Sequence, residues 1–402
     1  MDIKRLFGKE MVGLWTRDLV VTTLAVFMMR FGEGLLGGAR MNFFVDTLGI
    51  TGGQVLLLEG IREVPGLILM FIAALTMRLP LSWRAAGSAL VLGLGYMCYA
   101  LIHSYTGLMV VAIIASFGLH GYQPIGPAMG LALATENTRG RVLGVLASVG
   151  SLAGIVGMGA LAITSGLISN LPLQWFYVIG GAVITVSAFI FMQLSRNLGE
   201  TKGVQPRLVL KKRYWRFYVL KLFEGSRKEI LGSFCTLVLI ERFGWQVWQI
   251  STLMLIRAVA SLILAPSLGA LVDHIGPRKS LLISYSVLAL ACIAYATVPV
   301  AMILAVLYII IRLGQTLNLG LNVWIHGQAP SEELTPTLSA GVSVNHITSV
   351  AMPMLFGVLI PIMGYGGVYL LSAGIILVSI YFVVTMSDST HRRTAEPQPV
   401  HT

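Results

Sequence analysis

Leu56-Leu-Leu-Glu-Gly-Ile-Arg-Glu-Val-Pro-Gly-Leu-Ile-Leu-Met70 sets three charges, Glu59, Arg62 and Glu63, inside a long apolar run. At about 100° per residue the three share one helix face. A charge at the centre of a membrane helix costs about 3 kcal/mol or more unless it is paired or wetted. Two readings follow: a paired cluster that locks two helices, or a face that lines a polar path. Intramembrane charges are functional by default, which favours the second reading.

The same stretch returns 195 residues later. Ile61-Arg62 reappears as Ile256-Arg257, and Leu67-Ile68-Leu69 as Leu262-Ile263-Leu264. Without a gap, that offset also pairs Gly37 with Gly232, Leu48-Gly49 with Phe243-Gly244, Gln54 with Gln249, Asp46 with Glu241 and Ala134 with Ala329. An ungapped register over that length predicts two homologous halves.

Composition sets the class. Of 402 residues, 56% are hydrophobic and 11% are charged, against about 25% charged in a soluble domain. Apolar runs recur at the roughly 20-residue length that crosses a bilayer as a helix. No segments show the apolar/polar alternation of a barrel strand. The expectation is an all-α membrane protein with twelve transmembrane helices in two pseudosymmetric six-helix halves. The spans fall near 19–42, 53–77, 85–103, 106–133, 142–168, 173–194, 216–240, 248–272, 280–298, 300–325, 337–361 and 365–386.

The net charge of +11 follows topology. Alternate connections hold Lys4, Arg5, Lys9, Arg17, Arg78, Arg84, Arg139, Arg141, seven basic residues in 196–216, Arg278, Lys279, Arg392 and Arg393, which is 19 of the 28 basic residues. The opposite connections hold Arg242, with Arg40 near their edge. The positive-inside rule then puts both termini and the central loop in the cytoplasm of a cell (inner) membrane protein. No nucleic-acid partner is called for. The organisation reads as a half over 1–194, a basic linker over 195–215, a second half over 216–386 and a polar, disordered tail over 387–402. Cys98, Cys235 and Cys292 lie in apolar spans without metal-ligand spacing and read as packing residues. No cleavable leader is expected, because Arg30 and Glu33 interrupt the first apolar run.

Individual spans carry further chemistry. Arg30, Glu33, Gly34 and Gly37 share a face of the first span, and the glycines allow a close helix approach. Pro65-Gly66 predicts a kink in the second. Pro124, Pro127 and three nearby glycines predict a distorted fourth span, with His120 and Tyr122 facing a cavity. Gly144, Gly150, Gly154, Gly157 and Gly159 predict tight packing of the fifth. In the seventh, Glu224, Arg227 and Lys228 repeat the spacing of Glu59, Arg62 and Glu63, and Glu224 and Lys228 are spaced for an ion pair.

These features together resemble the major facilitator superfamily of secondary transporters, whose layout is two repeats of six spans. The most specific stretch is Gly269-Ala-Leu271-Val-Asp273-His-Ile-Gly276-Pro-Arg278-Lys279, similar to the family's cytoplasmic Gly-x-Leu-x-Asp-x-x-Gly-x-Arg-Lys loop. The resemblance implies a latch between the halves, with Gly269 at a close helix approach and Asp273 pairing with basic residues or a helix N-terminus. At the 195-residue offset the counterpart of Asp273 is Arg78, so the first copy of the loop is degraded. Arg312-Leu-Gly-Gln315 resembles an Arg-x-x-Gln motif normally found in span four, where this chain has Phe117 and His120. Gly150 to Gly159 partly resembles the antiporter motif, but Ile155 stands where a proline belongs.

No nucleophile elbow, metal-ligand spacing or phosphate-binding loop is present, so neither an enzyme nor an ATP-driven pump is expected, and no cofactor. The first hypothesis is a secondary transporter moving a small polar or anionic solute by alternating access, coupled to protons and acting as a monomer in the bilayer. Candidate substrate contacts are Arg30, Arg62, Tyr122, Arg227, Lys228, Arg257 and Arg312; candidate proton carriers are Glu33, Glu59, Glu63, Glu224 and His346. Arg62 and Arg257, equivalent in the two halves, suit bidentate capture of a carboxylate or phosphate, unless Glu59 and Glu63 consume Arg62. A multidrug/proton antiporter is the runner-up within transport. A transporter-like sensor or assembly factor is the rival of another class.

Overall fold

The computed structural model describes residues 15–68, 76, 79–135, 138–168, 171–198 and 210–386. The tail over 387–402, the bulk of the linker (199–209), Arg78 and residues 1–14 at the amino end lie outside these.

Among the described residues every regular element is helical. They are α1 (Arg17–Gly37), α2 (Gly52–Leu67), α3 (Leu81–Tyr99), α4 (Tyr105–Ala132), α5 (Arg139–Leu167), α6 (Gln174–Phe191), α7 (Trp215–Ser226), α8 (Ser233–Phe243), α9 (Val247–Ile275), α10 (Pro277–Thr297), α11 (Ala301–Gly314), α12 (Leu319–Gln328) and α13 (Ser331–Val384). Eight helical segments among them are long and apolar enough to cross a membrane. Local chemistry sets the ends. Thr16 and Ser104 cap α1 and α4 by accepting from the amides of Leu19 and Gly107, both at 3.2 Å. Pro277 opens α10, where its missing N–H costs nothing.

Several spans differ from their expected form. The seventh is broken: α7 stops at Ser226 and α8 starts at Ser233, with turns between. The tenth passes through a tight 3-10 turn, Gln315–Asn318, between α11 and α12. The last two spans run together as α13, interrupted at Gly364, whose φ of 67° is open to glycine at little cost. In the fourth span α4 continues as one helix through Pro124 and Pro127.

The chain divides into two compact units. One holds 1–51, 61–203 and 244–259; the other holds 52–60, 204–243 and 260–402. Segment 52–60, which starts α2, thus groups with the second unit, and 244–259, which starts α9, with the first. Gly49 and Gly244, equivalent at the 195-residue offset, precede these segments with φ of 64° and 67°. Such values suit glycine and strain most side chains. The two segments are also held alike. In the first unit Asn42 Nδ2 donates to the Trp245 carbonyl and to Asp46, each at 2.9 Å. In the second, the carboxylate of Glu241, the offset partner of Asp46, accepts from the Gly52 amide.

Small residues set the helix spacing inside each unit. A Cβ on Gly34 would collide with the Gly154 backbone, and one on Gly157 with the Phe31 carbonyl, so α1 and α5 touch backbone to backbone as the glycine pattern predicts. A Cβ on Gly225 would likewise strike the Asn345 carbonyl where α7 meets α13. Each unit also carries a stacked tyrosine pair: Tyr99 on Tyr177 at 5.0 Å in the first, Tyr295 on Tyr369 at 4.9 Å in the second. Outward, Ile256, Leu262, Ile263 and Leu264 on α9 and Leu290 on α10 are exposed, a surface suited to lipid.

Gly34→Leu is expected to lower folding stability by at least about 1–3 kcal/mol, the usual cost of overpacking. Gly144, against which a Cβ would meet nothing within 4 Å, should accept alanine with little change. Thermal unfolding of both variants in detergent checks the contrast.

Candidate functional site

In the first unit α1, α4 and α5 line an open cavity of about 700 Å³. Arg30 and Tyr122 reach its wall beside Thr22, Pro127, Gly150 and Ser151. Arg30 lies along α5 over Gly150, where a Cβ would stand 3.4 Å from its Cγ. A larger residue at 150 would crowd the arginine. Its Nη1 donates to Glu33 Oε2 at 2.6 Å, one turn along α1. The arginine side chain is 44% exposed and the glutamate 18%. Glu33 Oε1 is buried and makes no hydrogen bond among the described residues. The pair therefore presents a cation to the cavity and keeps its carboxylate behind.

Deeper in this unit a second polar group is closed off. Glu63 and His120 are both buried, with His120 Nε2 3.9 Å from the Glu63 carboxylate. Ser116 lies one turn before His120; its Oγ donates to the Arg62 carbonyl and stands 3.0 Å from His120 Nδ1. Glu59, Arg62 and Glu63 are all buried, as a shared face requires. Arg62 and Arg257 line neither of the two cavities described for this structure.

In the second unit the break after α7 puts Arg227 at the helix end, 2% exposed. Its guanidinium lies 3.9 Å over the Tyr285 ring, and Nη1 donates to Ser379 Oγ at 3.3 Å. Nη2 makes no hydrogen bond among the described residues. Glu224 accepts from Lys221 at 2.8 Å, a pair the sequence reading did not name. The expected Glu224–Lys228 pair rested on continuous helix, and the helix ends at Ser226. Arg312 Nη1 donates to Gln315 at 3.0 Å, which gives the Arg-x-x-Gln resemblance a physical contact. His346 is buried on α13. Tyr285, Ser379 and Ser116 were not singled out in advance. Ser116 alone had a local signal, its four-residue spacing to His120.

The loop between α9 and α10 keeps its expected turn. Gly276 has a φ of 82°, and Arg278 donates to the Val384 carbonyl at 2.6 Å. Asp273 and Lys279 are exposed. The close approach expected at Gly269 is not found: among the described residues a Cβ there would meet nothing within 4 Å.

A sequence model of the Major Facilitator Superfamily matches residues 220–401. No curated protein matches the chain by sequence. Solved structures match its fold. The nucleoside transporter NupG superposes with a TM-score of 0.74 at 12% identity, covering 92% of this chain and 98% of that one. A POT family transporter in complex with 5-aminolevulinic acid gives 0.72 at 12%, covering 92% and 95%. A bacterial homolog of the human lysosomal transporter Spinster, inward-facing and occupied, gives 0.68 at 16%, covering 91% and 94%. At these identities the structures speak for the fold alone. The second half of the chain is similar to the Major Facilitator Superfamily, and eight helical segments among the described residues are long and apolar enough to cross a membrane.

Proposed function

We propose that the protein is a proton-coupled secondary transporter for a small polar solute, preferentially an anion. Its twelve spans form two six-helix halves that alternate access to one solute. The observation that carries this reading is the cavity of the first unit, whose wall bears the Arg30 guanidinium while Glu33 stands behind it. A guanidinium in partial contact with a cavity offers charge-assisted hydrogen bonds to a carboxylate or phosphate. When an anion takes Arg30, Glu33 loses its partner and can exchange it for a proton. That exchange links solute binding to proton uptake. Glu63 with His120 supplies a second proton pair within the same unit. Ligand-dependent thermal stabilisation over a panel of small organic acids, sugars and nucleosides tests the solute class. A solute that binds only the folded state raises its midpoint. The reading requires an anion to do so and requires Arg30→Ala to abolish the effect.

Asp273 is assigned to conformational exchange. Asp273→Asn should leave solute affinity within about two-fold and cut the transport rate about ten-fold, the size of a 1–2 kcal/mol change in a conformational balance. Binding by thermal shift and initial uptake rates on the same preparation separate the two. Loss of binding with an intact rate would place Asp273 in the solute site.

A further inference from the structure

A second cavity, of about 270 Å³, lies apart from the solute cavity in the first unit, between α3 and α4. Val91, Phe117, Pro124 and Ile125 form its apolar wall, and Trp83 and Arg84 sit on its rim at the start of α3. Trp83 is 45% exposed, and Leu79 and Val91 beside it are exposed as well, so the crevice opens outward. The Arg196 guanidinium, just past α6, lies 5.7 Å over the Trp83 ring. Arg84 Nε is buried and makes no hydrogen bond among the described residues. Among the described residues no acidic side chain lines the crevice. The rim thus joins two cations and an amphipathic ring at the end of a membrane helix, with an apolar slot leading inward from it. Tryptophan favours the headgroup level of a bilayer, and basic side chains there attract anionic lipid.

We propose that this crevice is a binding site for one anionic phospholipid, its phosphate on Arg84 and Arg196 and one acyl chain between α3 and α4. An apolar slot beneath a cation matches a two-part ligand with a charged head and a hydrocarbon tail. A free phosphate would leave the slot unfilled, and a zwitterionic lipid would add a positive charge beside two arginines.

The full-length protein in detergent is titrated with phosphatidylglycerol, phosphatidylcholine or inorganic phosphate while thermal unfolding is followed. In parallel, phosphatidylglycerol with brominated acyl chains is tested as a quencher of tryptophan fluorescence. Phosphatidylglycerol should stabilise the protein beyond phosphatidylcholine, and inorganic phosphate should have no effect. Arg84→Gln should weaken the half-saturating phosphatidylglycerol concentration about five-fold, as expected for one basic residue at the membrane surface. Arg196→Gln, at an exposed position that folding tolerates, should do the same. Val91→Trp should remove the stabilisation by filling the slot, and Trp83→Phe should remove the quenching component. Equal stabilisation by the two lipids, a phosphatidylglycerol effect unmoved by both arginine variants, or full stabilisation by phosphate alone would overturn the proposal.

Discussion

Arg30→Ala is expected to reduce transport ten- to a hundred-fold, the equivalent of losing a charged hydrogen bond of about 1.5–3 kcal/mol. Folding stability should move by less than about 1 kcal/mol, because a half-exposed ion pair contributes little. The separation follows from position. Arg30 projects from α1 to the cavity wall, and its exposed face already meets water. Its removal therefore empties no packed core. Arg30→Lys should fall between, since lysine keeps the charge and loses the planar fork. Initial uptake rates in proteoliposomes with thermal midpoints on the same batch check all of this. Normal uptake by Arg30→Ala would remove the first-unit cavity from the solute path.

Arg227→Met is expected to move stability and transport in opposite directions. The wild-type guanidinium is 2% exposed, is held by Tyr285 and Ser379, and leaves Nη2 without a hydrogen bond among the described residues. Burying a charge with incomplete partners costs several kcal/mol, and an apolar replacement of similar volume is often neutral or stabilising by about 1–4 kcal/mol. Methionine fills the space and can pack its sulfur against the Tyr285 ring. The thermal midpoint should hold or rise. Transport should fall at least ten-fold if Arg227 meets solute or a carboxylate during the access cycle, an effect of about 1.4 kcal/mol or more. A residue retained at a cost to stability for the sake of activity shows this pairing of signs. A fall in both quantities would make Arg227 a structural anchor of the α7 end.

Much of the architecture was legible because the membrane imposes it. Composition and the recurring apolar runs set the class, since backbone polar groups in lipid must be satisfied within helices. Gly49 and Gly244, paired by the 195-residue register, share one positive-φ backbone shape. Close packing of α1 on α5 was also visible, in Gly34, Gly154 and Gly157. The break over residues 227–232 was not, because no proline marks it and Arg227-Lys228-Glu229 also fits one turn of a continuous helix. With it went the basis for the Glu224–Lys228 pair. The grouping of 52–60 and of 244–259 depends on packing between distant segments, which no local pattern encodes. The same holds for Tyr285 and Ser379, which reach Arg227 from α10 and α13. Charged side chains were easy to find in an apolar sequence, but their partners required the fold.

The central claim is solute movement driven by protons through the first unit's charged site. Its most direct test uses purified wild-type protein in proteoliposomes with the anion that stabilises it in the thermal panel. Uptake is followed under an imposed pH gradient, then under an imposed sodium gradient at constant pH. The account predicts uphill accumulation with the pH gradient, none with sodium, and loss of the pH response in Glu33→Gln with exchange of labelled solute retained. Accumulation driven by sodium, or tight binding with no movement under either gradient, would contradict it; the latter would point to a sensor built on a transporter fold.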